Sequence, residues 1–117
     1  MPTLSDALID AIVARVYSHA SLQELAAFST VPVVNALSDL EHPCQALADM
    51  QTIREHFEVP RLHGLKLAFI GDGNNVAASL AFAAALCGLE LVVASPPGFA
   101  LDEDVLERAR VHLNRHG

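Results

Sequence analysis

The chain has 117 residues and carries seven Lys or Arg against fourteen Asp or Glu, a formal net charge of −7, with 52% hydrophobic residues. This apolar content excludes an intrinsically disordered chain, and the length suits one domain of ordinary size. The acidic balance argues against a nucleic-acid surface, which needs a basic face, and the longest nearly apolar run, residues 76–89, is too short to span a membrane.

Helices and strands are predicted to alternate along the chain. The pattern predicts, in order, a helix at 3–9, a strand at 11–17, a helix at 22–28, a strand at 31–37, a helix at 43–57, a strand at 66–70, a helix at 76–87, a strand at 89–94 and a helix at 102–115. This alternation predicts an α/β fold with a parallel sheet built from Rossmann-like βα units. The connection between Phe57 and Lys66 is the expected domain boundary.

Local signals support several of the predicted helix ends. Ser21 and Glu24 have the spacing of a capping box, which predicts that the serine caps the helix at 22–28. Pro43 suits a first helical turn, where its missing N–H has no cost. Gly88 is placed to end the helix at 76–87.

The first candidate site follows the predicted strand at 31–37, in the run Ser-Asp-Leu-Glu-His-Pro-Cys-Gln at 38–45. Ligands of open α/β sheets bind at the carboxyl ends of the strands, where helix N-termini offer free N–H groups. His42 and Gln45 are three residues apart, so their side chains can address one carbonyl oxygen. The alternative interpretation is that both residues only cap the helix.

The second candidate site is the run Gly-Asp-Gly-Asn-Asn at 71–75, between a strand and a helix. It partly matches the dinucleotide fingerprint, but Val76 stands where a third glycine is expected and Ser95 where an acid is expected. A nicotinamide site is therefore disfavoured. The run is either a turn that lets strand and helix pack closely or a site in which Asn75 holds the carboxylate or amine of an amino acid.

Arg15 is the third candidate, because it is the basic residue of the predicted strand at 11–17. A buried strand arginine needs an anion, whereas an edge arginine can reach solvent; both interpretations are open. The other histidines show no metal-ligand spacing, so no metal site is predicted. Cys44 and Cys87 fall in different predicted helices and form no disulfide or metal motif. These cysteines, with no signal-peptide pattern, make a cytoplasmic location the expectation.

Taken together, four motifs resemble the ornithine carbamoyltransferases of the aspartate/ornithine carbamoyltransferase family. The motifs occur in the family's order and approximate spacing: Ala-Arg-Val-Tyr at 14–17, Val-Val-Asn-Ala-Leu-Ser-Asp at 33–39, His-Pro-Cys-Gln-Ala-Leu-Ala-Asp at 42–49 and Gly-Asp-Gly-Asn-Asn at 71–75. The last motif has the sequence that is typical of the ornithine-using members. The resemblance covers nearly the whole chain.

The resemblance implies transfer of a carbamoyl group from carbamoyl phosphate to L-ornithine, giving L-citrulline and phosphate, a reaction of arginine biosynthesis. It implies that Arg15, His42 and Gln45 bind carbamoyl phosphate and that Asn75 holds ornithine. Residues 1–57 are then the second half of the carbamoyl-phosphate domain with its linking helix, and residues 58–117 the first half of the ornithine domain. It implies no metal or organic cofactor, no nucleic-acid or membrane partner, and a homo-oligomer, since the intact family forms trimers.

The family's Ser-Thr-Arg-Thr-Arg, Asp-x-x-x-Ser-Met-Gly and His-Cys-Leu-Pro segments have no counterpart here. The expectation is therefore an internal fragment that makes no citrulline alone and associates with other copies through exposed sheet edges. Two alternatives are a non-catalytic self-associating fragment and a nucleotide-binding α/β module.

Overall fold

Four strands and four helices alternate in the computed structural model, which describes residues 8–116. In chain order they are β1 (Ile12–Arg15), α1 (His19–Phe28), β2 (Val33–Leu37), α2 (Pro43–Phe57), β3 (Lys66–Ile70), α3 (Asn75–Cys87), β4 (Glu90–Ala94) and α4 (Glu103–His116). The helix predicted at 3–9 lies outside the described residues except for Leu8 and Ile9, which are not helical.

The strands form two small sheets, each made of two parallel strands. β1 pairs with β2 and β3 pairs with β4, so each pair is a βαβ unit with its helix between the strands. The predicted α/β class with parallel Rossmann-like units is confirmed. Residues in β3 and β4 alternate between exposed and half-buried, because helices cover only one face of the sheet.

The start of α1 differs from the prediction. The helix begins at His19, and its N-cap is Ser18, whose hydroxyl accepts the N–H of Ser21 at 3.3 Å. The predicted capping box of Ser21 and Glu24 is wrong, because Ser21 already lies inside the helix. Ser18, three residues before Ser21, also has a hydroxyl that can cap a helix. Contacts of His19 with Asp39 and Ser38, in the loop after β2, stabilise the helix start at His19.

The other helix ends in the described residues agree with the prediction to within one residue. α2 runs over the predicted residues with Pro43 in its first turn, and it ends at Glu58 in the left-handed conformation, with φ of 53°. α3 ends at Gly88, where φ of 77° is a conformation that glycine adopts at little cost. Acidic Glu103 and Asp104 occupy the first turn of α4, where they complement the helix dipole.

The buried core surrounds α3. Its alanines pack against α4 and the sheet in one cluster of buried residues: Ala77, Ala78, Ala81, Ala85, Leu101 and Ala109. A second cluster joins α3 to α2 and to the segment before β3: Met50, Leu62, Leu80, Ala84 and Leu89. Small side chains allow the helices to approach closely, so α3 is held on several sides. Its N-terminus, where the second candidate site ends, is therefore held in place by the core.

α2 connects the two βαβ units. It packs against β2 of the first unit and against α3 of the second. Pro43, at its start, follows the loop after β2, so this helix carries the first candidate site into contact with α3. No helix in the described part of the chain has the length and apolarity to cross a membrane.

Candidate active site

The loop after β2 and the turn after β3 line one cleft of about 430 Å³. Asn75 is among its lining residues, whereas His42, Gln45 and Arg15 are not. Its walls come from the ends of β1 and β2, the turn after β3 and the start of α4; the lining includes Tyr17, Ser38, Asp39, Asn74, Asn75 and Asp102. These segments gather because parallel strands end at the same edge of their sheets. Two carboxylates, those of Asp39 and Asp102, lie in this lining, so the cleft favours a cationic group over an anionic one.

Ser38 is the centre of the loop after β2 and is fully buried, with 0% exposure. Its hydroxyl oxygen accepts the N–H of Glu41 at 3.2 Å and an amide N–H of Asn35 at 3.3 Å, and it lies 2.8 Å from Nδ1 of His19. The Ser38 N–H also donates to the Glu41 carbonyl at 2.8 Å. These bonds fold residues 38–41 into a tight turn that leads directly to His42.

His42 is the N-cap residue of α2, but its side chain makes no capping hydrogen bond. The ring is half-buried, and Nδ1 is buried without a hydrogen-bond partner among the described residues. Its backbone N–H donates instead to the hydroxyl of Ser79 at 2.8 Å. The helix-capping interpretation therefore does not apply to the imidazole.

Gln45 is exposed in the first turn of α2. Its amide donates to the carboxylate of Asp49 at 2.8 Å, one turn further along the helix. This bond does not cap the helix, and it gives Gln45 and His42 no shared partner. A ligand that uses the Gln45 amide therefore has to compete with a solvent-exposed contact, which is a small cost.

Asn75 is the first residue of α3 and is half-buried. Its Oδ1 accepts the N–H of Val76 at 2.9 Å, and its Nδ2 donates to the Ser38 carbonyl at 2.7 Å. An amide nitrogen has two donor hydrogens, so one remains for a ligand after the bond to Ser38. The contact joins two loops that are 37 residues apart in the sequence.

Gly73 bears on the nucleotide-binding alternative for the glycine-rich turn. A Cβ on this residue would lie 2.3 Å from the backbone nitrogen of Leu101 and 2.5 Å from the carbonyl carbon of Ala100. In dinucleotide-binding folds the second glycine lets the backbone approach a pyrophosphate. Here the chain's own segment before α4 takes that place, which disfavours the nucleotide-binding alternative and leaves the role of Asn75 open.

Arg15 ends β1 beside Leu37, at a point where the strand pairing is irregular. The residue is exposed, so the argument that burial demands an anion does not apply. Within the described residues its guanidinium has no carboxylate within ion-pair distance. Arg15 lies at the carboxyl end of β1, at the same edge of the first sheet as the loop after β2.

Sequence reasoning placed Ser38 in the first candidate run without assigning it a role, and it missed Ser79; both residues organise the site. Ser79 is 4% exposed in an alanine-rich helix. A hydroxyl inside an apolar helix needs a partner when it is buried, and that was the available signal. His19, one of the histidines without metal-ligand spacing, lies at the start of α1 and contacts the Ser38 loop. In the portion of the chain that the structure describes, no cluster of three or more ligating side chains suits a metal ion, and both cysteines are free thiols.

Two models of one protein family match the chain. The carbamoyl-phosphate-binding domain of aspartate/ornithine carbamoyltransferases matches residues 1–55, and the aspartate/ornithine-binding domain matches residues 63–117. The chain is similar to the ornithine carbamoyltransferase of Shewanella oneidensis, with 52% identity over 92% of the chain, and to that of Methanocaldococcus jannaschii, with 49% identity over 93%. It spans 35% of the length of each of these relatives.

Solved structures show the same similarity in three dimensions. The crystal structure of ornithine carbamoyltransferase from Gloeobacter violaceus superimposes with a TM-score of 0.87 and 47% identity, over 94% of this chain and 38% of that one. The enzyme from Pyrococcus furiosus gives a TM-score of 0.87 with 47% identity, over 94% of this chain and 34% of that one.

Proposed function

The chain belongs to the aspartate/ornithine carbamoyltransferase family, and we propose that it carries substrate-binding residues of an ornithine carbamoyltransferase. The proposed reaction transfers the carbamoyl group of carbamoyl phosphate to the δ-amine of L-ornithine, giving L-citrulline and phosphate. The observation that carries the proposal is the 2.7 Å bond from Asn75 to the Ser38 carbonyl. It joins the two loops that hold the candidate residues for the two substrates.

His42 and Gln45 are proposed to donate hydrogen bonds to the carbonyl oxygen of carbamoyl phosphate. As the amine nitrogen bonds to the carbonyl carbon, negative charge grows on that carbonyl oxygen. The charge returns to form the carbonyl when the bond to the phosphate oxygen breaks, and phosphate leaves with the proton that the amine gives up. Donors placed at the carbonyl oxygen stabilise the transition state more than the substrate. The imidazole without a capping bond supports this role. The guanidinium of Arg15, which forms no ion pair with the described residues, is proposed to contact the carbonyl and phosphate oxygens. Guanidinium groups bind phosphate through several N–H bonds.

Asn75 is proposed to hold the α-carboxylate or α-amine of ornithine through the amide hydrogen that Ser38 does not use. Asp39 and Asp102 support ornithine as the acceptor, because carboxylates in the cleft attract an ammonium group and repel the second carboxylate of aspartate. The names of the similar proteins point to the same acceptor.

Residues 1–57 are proposed to belong to the carbamoyl-phosphate domain, with α2 as the linking helix, and residues 58–117 to the ornithine domain. The limits of the two matching family models support this division. We also propose that the enzyme is a cytoplasmic homo-oligomer of arginine biosynthesis, a trimer when complete. Exposed apolar side chains on the first βαβ unit, such as Val13 and Phe28, support assembly with further protein.

The test is a colorimetric citrulline assay on the complete natural polypeptide that carries these 117 residues. Carbamoyl phosphate is supplied with either L-ornithine or L-aspartate, and carbamoyl transfer is measured for both acceptors. We expect ornithine to be preferred by at least about 100-fold in kcat/KM, because the cleft leaves a second carboxylate without a partner. Preference for aspartate, or no transfer to either acceptor, contradicts the proposal.

A further inference from the structure

Two polar side chains of α3 hold the loop that leads into α2. Asn75 donates to the Ser38 carbonyl at 2.7 Å, and Ser79 accepts the backbone N–H of His42 at 2.8 Å. Residues four apart in a helix lie on the same face, about 6 Å apart along the axis. The loop residues that they contact are also four apart. One face of α3 therefore forms hydrogen bonds with both ends of the turn that precedes α2.

The environment of Ser79 suits its hydrogen bond with the His42 N–H. It is 4% exposed in a helix whose other buried residues, apart from it, are alanine and leucine. Burial of a hydroxyl among apolar groups is unfavourable unless it is hydrogen bonded. The Ser79 hydroxyl accepts the backbone N–H of His42. The side chain of His42 does not cap α2, and the next residue, Pro43, has no N–H.

We propose that Ser79 is a positioning residue that sets the distance between the imidazole of His42 and the amide of Asn75. The inference rests on the proposed function, in which these groups bind carbamoyl phosphate and ornithine. Because both contacts are made by a single rigid helix, the Ser79 hydroxyl fixes His42 in the same frame that carries Asn75. Reaction requires the amine and the carbonyl carbon to come within about 3–3.5 Å, and small displacements cost a large part of the rate.

The experiment compares Ser79→Ala, which removes the acceptor, with Ser79→Thr, which keeps a hydroxyl, in the complete natural polypeptide. Thr52→Ala is the matched control, because it removes a hydroxyl that bonds to the Ala48 carbonyl on the exposed face of α2. We expect Ser79→Ala to lower kcat by about 10- to 100-fold, since a displacement near 1 Å has such effects. Both KM values should stay within about threefold, and Ser79→Thr should recover most of kcat.

A folded Ser79→Ala enzyme with kcat within about twofold of wild type overturns the proposal, as does a loss confined to KM. If Ser79→Ala does not fold, Ser79→Cys decides in its place, because the thiol is similar in size and a weaker acceptor. If the wild-type polypeptide makes no citrulline, the proposed function fails separately. Hydrogen exchange of the His42 backbone amide then tests its bond to the Ser79 hydroxyl. If this amide exchanges equally slowly in Ser79→Ala and in wild type, the proposed role of Ser79 is overturned.

Discussion

The two βαβ units of the chain share one topology but differ in how much they bury. In the first unit, α1 buries Leu22 alone, whereas α3 of the second unit buries seven of its thirteen residues. α1 packs mainly on β2, while α3 is packed by α2, α4 and the sheet. Large apolar residues of the first unit remain exposed; Phe28, for example, is 75% exposed. The same local pattern therefore buries a core only where further helices cover it.

The candidate site lies between these units, and substitutions there have the largest expected effects. We expect His42→Ala and Gln45→Ala each to lower kcat by about 10²–10³-fold in the complete enzyme, because each removes a donor from the oxygen where charge develops. The effect on the KM for ornithine should be smaller. His56→Ala, at the far end of α2, and Gln51→Ala, whose amide bonds to Glu55 as that of Gln45 bonds to Asp49, are the controls.

Steady-state kinetics with both substrates varied gives the result. An unchanged kcat for either site variant would assign that residue a structural role at the start of α2. Equal losses in the site variants and the controls would point to general damage to the helix.

A pair of matched leucine substitutions compares the stability of the two units. Leu80→Ala in α3 should cost about 4 kcal/mol of unfolding free energy, because a dense core on several sides cannot collapse into the cavity. Leu22→Ala in α1 should cost about 2 kcal/mol, since its partly exposed surroundings can relax. Urea unfolding followed by circular dichroism measures both values. Equal costs would mean that the first unit is packed as tightly as the second.

Gly73 tests the packing between the glycine-rich turn and the segment before α4. Gly73→Ala should destabilise the protein by about 3 kcal/mol, because the new Cβ meets backbone atoms of Ala100 and Leu101 that have little freedom to move. Gly64→Ala is the control, since nothing lies within 4 Å of its Cβ position and only its φ of 87° is unfavourable. That strain should cost about 1 kcal/mol. The measurement is the melting temperature of each variant, which should be lower for Gly73→Ala than for Gly64→Ala. Equal melting temperatures would show that residues 99–101 move away from the new Cβ at little cost.

The exposed apolar surface of the first unit predicts association of the 117-residue chain. Light scattering after size exclusion should give a mass above that of one chain, and Phe28→Ser should shift the mass toward one chain. Gln23→Ser, on an exposed position of the same helix, is the control. Neither change should alter the unfolding free energy of a single chain by more than about 0.5 kcal/mol. A wild-type mass of one chain at all concentrations contradicts this prediction.

Secondary structure was predictable wherever local chemistry determines it. α2 and β3 have the bounds that the sequence indicates, because a proline, a glycine-containing connection and short apolar runs mark their ends. The start of α1 was not predictable in this way. Ser18 and Ser21 are both suitable caps, and the contacts of His19 with Ser38 and Asp39, from a loop some twenty residues away, favour the earlier one.

The sequence by itself determined that polar residues follow β2 and β3 and that helices begin there, so it located His42 and Asn75 at the candidate site. Only the tertiary structure decided which groups hold them. The bonds from Asn75 to Ser38 and from His42 to Ser79 each span 37 residues. Periodicity and capping patterns reflect neighbours within one or two helical turns, whereas a hydrogen bond depends on distance in the folded chain. Packing of α3 against α2 created those distances, and with them the geometry of the site.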